Sequence, residues 1–98
     1  MTRVRIPPVL RAHADGAREV DAEGGTVGEA LNDLVQRYPA MKSHIFEDGG
    51  LQRYVNVYLN NQDIQYLERL ETPLADTDTI IILPAMAGGS GLYRDALL

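Results

Sequence analysis

The residues with the clearest chemical potential are two adjacent glycines near the C-terminus, Gly88-Gly89. They follow a strand-like run, Thr79-Ile80-Ile81-Ile82-Leu83, and a connector, Pro84-Ala85-Met86-Ala87. Pro84 lacks an amide donor and tends to end sheet pairing. The small residues and glycines beyond it have little to anchor them. Residues 85–89 are therefore expected to leave the domain as a flexible arm. Such an arm can thread a narrow cleft and present a terminal carboxyl to a partner enzyme. The chain continues, however, through Ser90-Gly91-Leu92-Tyr93-Arg94-Asp95-Ala96-Leu97-Leu98. At Gly89 the carboxyl is therefore an amide.

The other reactive residue types point to little chemistry. There is no cysteine, hence no disulfide, thiolate metal site or cysteine nucleophile. His13 and His44 are distant in sequence and lack ligand spacing, so both are expected to be solvated. Asp76-Thr77-Asp78 reads as a polar turn rather than a metal pair. Glu19, Asp21, Glu23, Glu47 and Asp48 are expected to form a solvated acidic face that helps orient a basic partner. A length of 98 residues suits one small domain, and a 45% hydrophobic share suits a globular one. A net charge of −5 disfavours nucleic acid and anionic membranes as partners. No apolar run is long enough to span a bilayer, and Met1 to Arg5 lacks a signal peptide's apolar core, so a cytoplasmic location is expected.

The elements that would position the diglycine follow from periodicity. Thr2 to Ile6 alternates polar and apolar residues and is stopped by Pro7-Pro8. Val9 to Gly16 reads as a loop with Asp15-Gly16 as its turn. Arg18 to Ala22 is a second strand, ended by Gly24-Gly25. Thr26 and Glu29 have capping-box spacing. After them Val27, Leu31, Leu34 and Val35 share one helical face, extended by Ala30 and Tyr38, and Pro39 ends the helix. Met41 to Phe46 suggests a short helical turn, and Glu47 to Gly50 a loop. Arg53 to Leu59 alternates as a central strand, with Asn60-Asn61 as a turn and Asp63-Ile64 as a short returning strand. Leu67 to Leu74 reads as irregular. The order predicts an α+β fold in which a mixed sheet packs on one principal helix. Strand parity turns Val55, Val57, Leu59, Ile80 and Ile82 toward that helix. It leaves Tyr58, Ile81 and Leu83 as an outer apolar cluster beside the arm, a candidate partner surface.

This pattern resembles the ubiquitin-like β-grasp sulfur carriers of the MoaD/ThiS family over residues 2 to 89. The resemblance rests on Ile6-Pro7, Thr26-Val27-Gly28-Glu29-Ala30-Leu31, Arg37-Tyr38-Pro39, Val55 to Asn60 with Asp63-Ile64, and Asp76 to Gly89. Asn56-Val57-Tyr58-Leu59-Asn60 and Leu83 to Gly89 look most like the CysO-type branch. The resemblance implies a β-grasp domain at 1–84, a diglycine arm at 85–89 and an extension at 90–98 that is removed on maturation.

It also implies a mechanism. An E1-like adenylating enzyme would use ATP to activate the Gly89 carboxylate. A sulfur nucleophile would then displace AMP and leave a thiocarboxylate. Ala87, Gly88 and Gly89 would form the arm passing into the partner, and the carrier itself would bind no cofactor or metal and supply no catalytic side chain. The thiocarboxylate would donate sulfur to a biosynthetic enzyme, such as a pyridoxal-phosphate-dependent cysteine synthase. Because Ser90 blocks the carboxylate, a zinc-dependent JAMM-type peptidase would first cut between Gly89 and Ser90. Other readings of the tail are an added extension, a segment docked on the domain through Leu92, Tyr93, Leu97 and Leu98, or a chain that is never activated. Competing functions are a ubiquitin-like modifier joined to target lysines through Gly89, and a binding domain that is not activated at all.

Overall fold

The structure, a computed structural model, describes residues 1–84. Strand β1 (Thr2–Arg5) pairs antiparallel with β2 (Glu19–Ala22), which gives the expected hairpin with a long connection. Within that connection the sequence reading needs correction, because Pro8–Ala14 winds into a 3-10 helix. Pro8 presets φ for the first turn, and Leu10 and Ala14 bury against the core. Asp15 (φ 57°) and Gly16 (φ 81°) then make the expected turn.

Helix α1 (Val27–Arg37) begins as its capping pattern demands. The Glu29 backbone N–H donates to Thr26 Oγ1 at 3.2 Å, while Glu29 Oε1 accepts from the Gly25 N–H at 2.7 Å. The return contact thus falls one residue before the cap. Val27, Ala30, Leu31, Leu34 and Val35 are buried. Tyr38 caps the C-terminus, and Pro39 opens a 3-10 turn that leads into α2 (Lys42–Ile45).

The stretch Glu47 to Gly50 is the turn of a small hairpin rather than a plain loop. Strands β3 (Phe46–Glu47) and β4 (Gly50–Leu51) pair across Asp48 (φ 52°) and Gly49 (φ 84°), the consecutive positive φ values that tight hairpins need. Strand β5 begins at Val55 and runs to Leu59, so Arg53 and Tyr54 belong to the turn before it. Strands β6 (Gln62–Asp63) and β7 (Thr79–Pro84) complete the sheet. Leu67 to Leu74 is more ordered than its sequence suggests: Arg69–Glu71 forms a 3-10 turn, and Thr26 and Pro73 make an isolated bridge.

The five-stranded sheet has the order β2-β1-β7-β5-β6, with β1 and β7 parallel and the other pairs antiparallel. Val4, Ile6, Val57, Ile80 and Ile82 on its inner face pack with Leu31 and Leu34 of α1, all at most 1% exposed. This is the ubiquitin-like β-grasp. Because β1 and β7 are parallel, the end of β1 and the end of β7 at Pro84 lie at the same end of the sheet.

Candidate functional site

The outer face of the sheet carries the residues of the candidate partner surface. The registers align one residue from each strand into a single row across it: Glu19, Arg5, Ile81, Tyr58 and Asp63. The centre of the row is apolar and its ends are charged. Ile81 and Tyr58 are directly opposed and half-buried, and Leu83 is 44% exposed one step nearer Pro84, opposite Asn56. The three residues assigned to the outer face by parity are therefore brought together there. The inward set Val55, Val57, Leu59, Ile80 and Ile82 is buried as expected.

The turns that frame this face are fixed by polar side chains. Asp78 Oδ2 accepts from the Ala75 N–H at 2.9 Å, and Asp78 Oδ1 accepts from Asn60 Nδ2 at 3.1 Å. Asn60 Oδ1 in turn accepts from the Thr79 N–H at 3.1 Å, tying the β5–β6 turn to the start of β7. Asp76 is exposed and faces the N-terminal ammonium at 3.6 Å. Both aspartates are turn residues. No group of three or more His, Cys, Asp or Glu side chains that could hold a metal ion occurs among the described residues.

At the end of β7, a cleft of about 260 Å³ is lined by Val9, Leu10, His44, Gln52, Tyr54, Val55 and Pro84. Val9 and Tyr54 expose 58% and 48% of their surface there. Val9 is expected in a loop and Tyr54 within the central strand, so neither points to this cleft. The expectation for His13 and His44 is corrected: their rings stack with centroids 4.6 Å apart. The 3-10 helix at Pro8–Ala14 packs beside the Pro39–Met41 turn, which brings together residues distant in sequence.

The expected acidic face is also corrected, because its members do not share one surface. Glu19 lies on the outer sheet face, 3.4 Å from Arg3 and 3.6 Å from Arg5. Glu47 and Asp48 instead line a groove of about 570 Å³ beside α1, with Glu29, Glu71 and Lys42. Exposed pairs such as Arg3–Glu19 contribute little stability. Their importance here is the charge they place around the apolar row.

Ala87, Gly88, Gly89 and Ser90, the expected arm and cleavage junction, lie outside the described residues. No helix among the described residues is long and apolar enough to cross a membrane.

The chain is similar to known proteins over this whole architecture. It is 39% identical over 89 residues to the sulfur carrier protein CysO of Mycobacterium tuberculosis, covering 88% of this chain and 96% of that protein. A chain in the crystal structure of the Amycolatopsis orientalis BexX/CysO complex superposes with a TM-score of 0.84 at 39% identity, covering 91% of this chain and 100% of that one. The solution structure of small archaeal modifier protein 1 from Methanosarcina acetivorans gives a TM-score of 0.81 at 38% identity, covering 90% and 95%. The profile described as ThiS family matches residues 4–89. With nearly its full length matched, the chain belongs to the ThiS family, the MoaD/ThiS group of ubiquitin-like β-grasp proteins, and is CysO-like.

Proposed function

We propose that this protein is a sulfur carrier whose working end is the carboxyl of Gly89. The observation that carries the reading is where the family match stops: it ends on Gly89 and leaves Ser90 to Leu98 beyond it. The name of the CysO relative, a sulfur carrier protein, points the same way. In this reading residues 1–84 are the recognition domain, 85–89 the arm and 90–98 a segment removed by a JAMM-type zinc peptidase acting between Gly89 and Ser90.

The chemistry then proceeds at one carbon. The freed Gly89 carboxylate attacks the α-phosphorus of ATP on an E1-like partner and expels pyrophosphate. Conversion to the acyl-adenylate replaces a poor leaving group with AMP. Sulfide attacks the carbonyl carbon, AMP departs and the thiocarboxylate remains. An enzyme persulfide instead gives an acyl disulfide with loss of AMP, and a second thiol then attacks the enzyme-side sulfur, forming a disulfide with the enzyme and releasing the thiocarboxylate. Thiolate-type sulfur is strongly nucleophilic at neutral pH, so the loaded carrier can pass sulfur to a biosynthetic acceptor such as a cysteine synthase. The described residues contribute position and recognition. Tyr58, Ile81 and Leu83 give the partner an apolar surface beside the arm, and the arm's glycines admit close approach.

The experiment is an intact-mass measurement on the protein isolated from its native cell. A chain ending at Gly89 and heavier by ~16 Da than the free acid supports the reading, the increment being one sulfur in place of one oxygen. A uniform population ending at Leu98 contradicts it. The similarity to an archaeal modifier protein supports a second reading, in which Gly89 is joined to target lysines. That reading requires branched products much heavier than the chain. Lys42 is the chain's single lysine, which leaves few positions for self-linked chains.

A further inference from the structure

Charge is distributed very unevenly along this acidic chain. Residues 1–18 hold four of its nine basic residues, Arg3, Arg5, Arg11 and Arg18, but one of its fourteen acids, Asp15. The fold gathers three of these four arginines at one place. Arg5, Arg11 and Arg18 line a cleft of about 330 Å³ with Ile6 and Glu19. Arg11 is held there because its Nε donates to the Ile6 carbonyl at 3.0 Å. Arg18 is positioned through its backbone, since its carbonyl accepts from the Ile6 N–H at 2.8 Å. Glu19 is the one acid lining the cleft, and it already faces both Arg3 and Arg5. Arg11 and Arg18 make no ion pair among the described residues.

Gathering like charges in this way is unfavourable for the isolated domain, and a bound anion would offset it. The cleft lies at the end of β1, on the arm side of the sheet. Through Arg5 it is continuous with Ile81 and Tyr58 in the cross-strand row. We propose that this arginine cleft is the electrostatic half of the partner surface and receives carboxylate side chains of the protein that handles the arm. The proposal rests on the arm being handled by a partner protein. Carboxylates fit better than phosphate for two reasons. The lining has guanidinium groups but no glycine-rich loop or helix N-terminus directing backbone N–H groups inward, the usual phosphate cradle. It also contains Glu19, which repels a dianion more than a single carboxylate. Guanidinium forks pair with carboxylates in a bidentate geometry.

The test uses the full chain and follows the arginine Nε–Hε signals by NMR. Poly-L-glutamate is the probe, with inorganic pyrophosphate at equal charge as the second arm. Saturable shifts at Arg5, Arg11 and Arg18 are expected, with affinity falling roughly tenfold as salt rises and screening shortens the Debye length. Arg18→Glu should weaken poly-L-glutamate binding by roughly fivefold or more, while Arg53→Glu, on another exposed surface, leaves it unchanged. Both side chains are exposed, so neither change threatens the core. Three outcomes overturn the proposal: shifts spread evenly to Arg37, Arg53 and Arg69, no loss with Arg18→Glu, or tighter binding of pyrophosphate than of poly-L-glutamate. None of them bears on sulfur loading, which the mass of Gly89 tests separately.

Discussion

Gly24 and Gly25 look alike in sequence, yet the structure gives them opposite sensitivity to a single methyl group. Neither has a φ in the left-handed region, so backbone strain plays no part. A Cβ on Gly24 would fall 2.5 Å from the Ala30 amide nitrogen, 2.8 Å from the Glu29 carbonyl carbon and 2.8 Å from Glu29 Cβ. Those separations are about 0.7–1 Å shorter than the ~3.5 Å at which heavy atoms pack comfortably. All three atoms belong to the first turns of α1 or are fixed to its backbone, so no side chain can swing away. The β2–α1 connection or the helix itself must shift, and Gly24→Ala should cost about 1–3 kcal/mol, as overpacking does. On Gly25 the nearest atom would be Glu29 Oε1 at 3.5 Å, an ordinary contact. The Gly25 N–H keeps its bond to Glu29, and Gly25→Ala should stabilise by about 0.4–1 kcal/mol through the unfolded chain. In a thermal melt each kcal/mol moves the midpoint of a domain this size by roughly 4–8 °C. Gly24→Ala should therefore melt well below the parent protein, and Gly25→Ala slightly above it. Equal midpoints for the two variants would refute the assigned approach of the connection to α1.

Leu31→Ala should destabilise by about 2–5 kcal/mol in urea unfolding, because Leu31 is fully buried on α1. The neighbouring Asn32→Ala should change stability by less than about 0.5 kcal/mol, since Asn32 is exposed; comparable losses would mean the helix face is misassigned. Asp78→Ala removes acceptors from the Ala75 N–H and from Asn60 and should cost about 1–2 kcal/mol in the same assay. Ile81→Asp places a charge at the centre of the outer row and should weaken binding to the adenylating partner by roughly tenfold or more in calorimetry, with the circular dichroism of the fold unchanged.

Much of this architecture was legible because local and tertiary signals agree. The capping residues Thr26 and Glu29 and the spacing of Val27, Leu31, Leu34 and Val35 define α1 without reference to anything distant. The alternation in β5 and β7 likewise separates Ile80 and Ile82 from Ile81 and Leu83. Four features were not legible. The 3-10 run at Pro8–Ala14 depends on burial of Leu10 and Ala14 by the rest of the fold. The β3–β4 hairpin has strands of two residues each, too short to display a period. The His13–His44 stack and the arginine cleft join residues that only the folded connections bring together. Arg5 carried a signal in its outward parity on β1, but Arg11 lies in the 3-10 run and Arg18 at the edge of β2, and no spacing in the sequence joins the three.

The central claim concerns one covalent bond, the amide between Gly89 and Ser90. The direct measurement is mass spectrometry of two forms after incubation with an adenylating enzyme, ATP and a sulfur source. One form ends at Gly89 and the other at Leu98. The shorter form should gain ~16 Da at its terminus, the exchange of oxygen for sulfur, while the longer form stays unchanged because its Gly89 has no carboxylate to activate. Sulfur gained at Leu98 as readily as at Gly89, or no gain by the form ending at Gly89, would contradict the assignment.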